Sequence, residues 1–157
     1  VLWVLISFGF NLRKDTNWRK ENIFDFAPFY FYKTIVMELK AKSIRPFIGA
    51  QDYITSRAFY CDLGFNEIII DANLSLFQWG DMGFYLQNAY VKDWIDNTMV
   101  FLEVASVDDF WKQLLLLGLD AKYENVRIVP TKEYDWGKEC FIHDPSGVLW
   151  HVGEFYK

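Results

Sequence analysis

Two Leu-Gly pairs, Leu63-Gly64 and Leu117-Gly118, stand 54 positions apart, and much around them repeats at that spacing. The shift takes Asp52 to Ser106, each suited to cap a helix, and Arg45 to Met99. A chain that uses one unit twice has few folds open to it. A single copy, one helix on one face of a small sheet, leaves the other face uncovered, and joining two copies solves that problem.

The repeated unit is legible strand by strand. Ile44 to Ala50 is expected to be a strand, with Arg45, Phe47 and Gly49 on one face and an edge at Pro46, which has no N–H. A helix is expected over Tyr53 to Asp62, with Ile54, Ala58 and Cys61 as its buried stripe and Gly64 as its stop. Strands follow at Phe65 to Asp71, Leu74 to Trp79 and Gly83 to Asn88, and Tyr90 to Asn97 is a connector. The second copy begins with a strand at Thr98 to Val104, carrying Met99, Phe101 and Glu103 on one face. Ser106 with Asp109 is a capping-box-like start to a helix over Val107 to Leu117. Its apolar stripe is Val107, Phe110, Trp111, Leu114 and Leu115. A strand is expected at Tyr123 to Val129 and a loop at Pro130 to Asp135.

Lys138 to His143 and Val148 to Phe155 close the chain as a hairpin around the turn Asp144-Pro145-Ser146-Gly147. Alternation puts Val148 and Trp150 on one face and Leu149 and His151 on the other. Read alone, His151 is either a core histidine satisfied by a hydrogen bond or part of a site. The last strands of the two copies match at a shift of 64, taking Gly83 to Gly147 and Gln87 to His151. The fold class expected is α+β: two βαβββ modules, about 43–90 and 98–157, forming a curved mixed sheet around a shared cleft.

Composition narrows the partners. The chain is 20% aromatic and 52% apolar, as a globular fold requires, and its net charge is −5. An acidic chain without clustered Lys and Arg argues against a nucleic-acid partner and mildly favours a cationic ligand. Cys61 and Cys140 lack metal-type spacing; a single disulfide is possible, but two reduced thiols in a cytoplasmic protein are expected. Residues 1–36 differ from the rest, being aromatic without helical or alternating period. The run Val1 to Phe10 is too short to span a bilayer, and no membrane partner is expected. The domain is expected to be 37–157, with 1–36 an extension from an early start, not part of the native fold; a membrane-associating leader and a packed extension are the rival readings.

The runs RPFIGAQDYITSRAFYCDLGF, TMVFLEVASVDDFWKQL and WGKECFIHDPSGVLWHVGEF resemble the vicinal oxygen chelate superfamily of glyoxalases, bleomycin-resistance proteins and extradiol dioxygenases. The resemblance covers about 37–157, in length most like the bleomycin-resistance type. It implies four inner-face positions that hold a divalent metal in catalytic members, falling here at Arg45, Gln87, Met99 and His151. Gln87 is the least fixed of the four, since Tyr85 takes its place under a shifted register. Arginine has no lone pair to give, and a thioether suits soft ions, so no metal and no cofactor are expected.

The inner faces then offer Arg45, Phe47, Tyr85, Gln87, Met99, Phe101, Glu103 and His151, with Trp136 at the rim, as ligand-binding residues. Phe47 and Phe101 are either stacking walls or core, and Glu103 pairs with a ligand cation or with Arg45. The leading expectation is a bleomycin-resistance-like antibiotic-resistance protein, a homodimer acting as a binder more than as an enzyme, that sequesters an aromatic or cationic small molecule in a metal-free cleft. The alternatives are a glyoxalase- or dioxygenase-type enzyme with an atypical divalent metal site, and metal-free catalysis with His151 as general base.

Overall fold

The computed structural model describes residues 40–157, so the extension expected at 1–36 lies outside them. Both long helices begin at the residues their caps predict. Asp52 accepts a hydrogen bond from the Thr55 amide at 3.1 Å, opening α1 (Tyr53–Asp62). Ser106 accepts from the Asp109 amide at 3.2 Å, opening α3 (Val107–Leu117). Around them lie β1 (Phe47–Gly49), β2 (Asn66–Asp71), β3 (Leu74–Trp79), β4 (Met82–Gln87) and β5 (Met99–Glu103), then β6 (Arg127–Tyr134), β7 (Gly137–His143) and β8 (Leu149–Phe155).

The strands make two four-stranded sheets, ordered β1-β4-β3-β2 and β5-β8-β7-β6. In each, the first strand pairs in parallel with the last, and the other pairs are antiparallel. This is the same βαβββ topology twice, an α+β fold of two mixed sheets.

Several boundaries differ from the sequence reading. The first strand is Phe47–Gly49, not 44–50, although the Pro46 carbonyl still accepts from the Tyr85 amide at 2.9 Å. The connector at 90–97 contains a one-turn helix, α2 (Lys92–Ile95). Another, α4 (Leu119–Lys122), takes up the approach to β6, so that strand starts at Arg127 and not at Tyr123. The expected loop at 130–135 is largely strand. Pro130 sits on the outermost strand, where the register shifts between Val129 and Lys132, so no ladder bond has to come from its nitrogen.

The α1 stripe is also corrected. Ile54 is 68% exposed, and Ala58 and Cys61 face outward too. The buried positions are Tyr53, Ser56, Phe59 and Tyr60. The polar atoms on this face are satisfied, which is why it can be buried. Tyr53 bonds Ser75 at 2.9 Å, and Tyr60 donates to Asp144 Oδ2 at 2.7 Å. On α3, Val107 and Leu114 are buried, while Leu115 is exposed.

One core serves both modules. Trp150 of β8 packs against Tyr60, Phe65 and Phe84, with ring centroids 5.3 to 5.8 Å apart. The turn at 144–147 adds a polar latch. Trp150 Nε1 donates to Tyr60 Oη at 3.2 Å, and the Gln51 amide donates to Ser146 Oγ at 3.0 Å. Asp144 is fully buried, and its Oδ1 also accepts from the Ser146 and Val148 amides at 2.9 and 2.8 Å. Burial pushes its carboxyl upward, against the lowering effect of the bonds from Tyr60 and those amides. Among the described residues no helix is long and apolar enough to cross a membrane. Cys61 and Cys140 are free.

Candidate ligand-binding site

Strand alternation and register decide what each sheet shows on the face its helix does not cover. On the first sheet, Phe47 lies opposite Tyr85, and Gly49 opposite Gln87. On the second, Phe101 lies opposite His151, and Glu103 opposite Gly153. The positional counterpart of His151 is therefore Tyr85, not Gln87, and the expected shift of 64 is corrected by two residues. The slack lies in the turns before the last strands, where a glycine match alone set the register.

The counterpart pairs carry matching aromatic stacks. The Phe47 and Tyr85 rings lie 4.8 Å apart at 25°, and those of Phe101 and His151 lie 6.5 Å apart, also at 25°. Phe47 is 57% and Phe101 45% exposed, so neither is core in this chain. Met99 and Glu103 are exposed beside Phe101. Glu103 makes no ion pair with Arg45 among the described residues. Arg45 Nε is buried and finds no hydrogen-bond partner among them.

The second sheet's open face is the richer one. Its rings run in sequence from Tyr134 to Trp136 (5.3 Å, 9°), Phe155 (5.2 Å), Phe101 (5.7 Å), His151 and Phe141 (5.1 Å). Gly153 makes the centre of this row flat. A Cβ there would lie 2.5 Å from Phe101 Cζ, so only glycine lets the ring rest on the strand. Glu139, on β7, is 7% exposed and holds His151 Nδ1 at 2.9 Å. Tyr134, Glu139, Phe141, Gly153 and Phe155 were not among the expected site residues. Strand alternation from His151 would have found Gly153 and Phe155, on its own strand.

The nine expected ligand residues thus fall into two groups: Phe47, Tyr85 and Gln87 on the first sheet with Arg45 just ahead of β1, and Met99, Phe101, Glu103 and His151 on the second with Trp136 in the turn between β6 and β7. The chain's larger grooves do not gather them. One of about 510 Å³ runs on the helix side, along Trp79, Phe110 and Leu114, and contains none of the nine. Another of about 370 Å³ lies between Ile44, Met82, Phe84 and Trp150 and contains only Phe101. The open sheet faces, not these grooves, carry the duplicated aromatic pairs.

The donor set does not fit a divalent metal. No group of three or more His, Cys, Asp or Glu side chains placed to hold an ion occurs among the described residues. Of the four positions the resemblance implies, Arg45 is a fixed cation and Met99 a soft thioether. Tyr85, which the register sets in place of Gln87, already stacks on Phe47.

Topology and paired faces together define a class by fold alone: the chain has two βαβββ modules, each a four-stranded mixed sheet with one long helix. No family model and no curated protein sequence matches it. Among solved structures it is similar to a bleomycin-binding protein in complex with bleomycin, with 21% identity and a TM-score of 0.62 over 74% of this chain and 100% of that one. It is similar also to the bleomycin resistance determinant encoded on transposon Tn5, at 21% identity and a TM-score of 0.64 over 74% and 100% of the two chains. Lactoylglutathione lyase from Agrobacterium tumefaciens shares the fold at 16% identity and a TM-score of 0.55, over 73% and 94%.

Proposed function

We propose that this protein binds and sequesters an aromatic or cationic small molecule, in the manner of bleomycin-resistance proteins, without a metal. The observation that carries the reading is the continuous row of rings on the open face of the second sheet. Phe101, Trp136 and Phe155 each keep more than a third of their surface exposed on that face. An exposed apolar patch of this kind marks a binding surface. Planar ligands gain from stacking on it, and cationic ones from the faces of the rings.

We further propose that the protein is a homodimer in which the open face of one chain's first sheet covers that of the partner's second sheet. The matched stacks, Phe47 on Tyr85 and Phe101 on His151, would then be the two walls of one cleft. A reducing compartment, the cytoplasm, agrees with two free cysteines. The competing reading is a glyoxalase- or dioxygenase-type enzyme with a divalent metal. It draws support from the lyase of the same fold, but the donor set above argues against it.

A thermal-shift screen of the full chain with glycopeptide-type antibiotics and planar aromatic cations tests the binding role. Saturating binding raises the melting temperature by mass action, and a flat response across the panel rejects it. Near-stoichiometric zinc, nickel or iron in the purified protein would favour the enzyme reading.

A further inference from the structure

We infer that the open face of the second sheet selects a planar ligand bearing a cationic N–H donor, and that Glu139 sets this preference by fixing the proton of His151. This rests on the binding role proposed above and names its ligand class. Glu139 is a carboxylate, which only accepts, so in its 2.9 Å contact with His151 the proton sits on Nδ1. The Nε2 lone pair is then left for the ligand. The His151 side chain keeps 26% of its surface exposed, so the lone pair is reachable, while that of Glu139 keeps only 9%.

The surroundings leave Glu139 short of positive charge. Its neighbour across β6 and β7 is Lys132, but the Lys132 amine lies over the Tyr134 ring, 4.9 Å from its centre. Among the described residues, no lysine or arginine forms an ion pair with Glu139, and its contact is the hydrogen bond with His151 Nδ1. A buried carboxylate without a cation is costly, and a ligand that brings one relieves the cost. A planar cation laid on Phe101 and Phe155 donates to Nε2, meets the π faces and sets its charge near Glu139. An anion in the same place meets a lone pair backed by a carboxylate.

The test is titration calorimetry on the full chain with three probes of one shape: naphthalene-2-carboxamidine, 2-naphthoate and 2-acetylnaphthalene. The amidine is expected to bind about 10-fold or more tighter than the other two, the scale of one charge-assisted hydrogen bond. In Glu139→Met no group accepts from Nδ1, and the imidazole is released to its intrinsically favoured form with the proton on Nε2. The amidine preference should then vanish, and the ¹⁵N shifts of His151 should switch tautomer. His151→Phe keeps the stack and should bind all three probes alike. Equal affinity for the three probes in the wild type overturns the inference and leaves the binding role standing. An unchanged His151 tautomer in Glu139→Met overturns the positioning role of Glu139. No binding of any probe counts against the inference and against aromatic binding on this face together.

Discussion

At the scale of single residues, two glycines separate packing from function. A methyl at 153 would meet the far end of the Phe101 ring, 2.5 Å away, and that exposed ring can swing aside. Gly153→Ala should therefore cost less than ~1 kcal/mol of stability yet break the flat centre of the aromatic row and weaken ligand binding. A methyl at 137 would lie 2.0 Å from the Glu154 carbonyl oxygen, which is backbone and cannot yield. Gly137→Ala should lower the melting temperature sharply, as overpacking against a fixed strand does. Comparing denaturation midpoints with affinities for the two variants checks both statements.

Asp144 gives a pH signature. Burial raises its carboxyl above the usual 3.8, so the folded protein holds this proton more tightly than the unfolded chain does. The cost of its buried charge is present in full above the raised value. It is relieved as the pH falls from there toward the unfolded value. Asp144→Asn cannot titrate, so the stability difference between the two proteins should move in favour of the wild type as the pH falls through that window. Urea midpoints at a series of acidic pH values measure this, and a difference that stays constant rejects it.

At the scale of elements, the helices show where a periodic pattern succeeds and where it misleads. Four leucines run from 114 to 117, and only Leu114 is buried, at 1% exposure, whereas Leu116 is 86% exposed. Leu114→Ala should cost about 2–5 kcal/mol and Leu116→Ala within about 0.5. Denaturant unfolding of the full chain resolves the two. Spacing identified Leu114 correctly, with Val107, but overextended the stripe to Leu115. It failed on α1 for a chemical reason. Beside Phe59, the buried face there is made of tyrosines and serine whose hydroxyls find partners in the other elements: Tyr53 in Ser75, Ser56 in Ser146 and Tyr60 in Asp144. Partners up to 90 positions away are invisible to a local window. The caps, the Leu-Gly stops and the turn at 144–147 are local chemistry, and these were legible.

At the scale of the molecule, duplication made the fold readable, and long-range register decided the rest. Alternation from Phe47, Phe101 and His151 fixes which side chains share a face, so that grouping was legible in the sequence. Glu139 was missed because it reaches the site from β7, through a contact that no motif announces. Nor does a sequence say whether two faces meet within one chain or between two. That question has a direct answer in mixtures. If each cleft joins the first sheet of one chain to the second sheet of its partner, Phe47→Ala and Phe101→Ala each damage both clefts of a homodimer. Mixed after unfolding and refolding, half of the dimers carry one chain of each kind. In those dimers both lesions fall in one cleft, and the other cleft is intact. Binding capacity should recover to roughly a quarter of the wild-type value. If instead each chain closes a cleft from its own two sheets, every cleft keeps one lesion and mixing restores nothing. Calorimetric stoichiometry of the mixture, with sedimentation to establish that the variants pair, distinguishes the two arrangements.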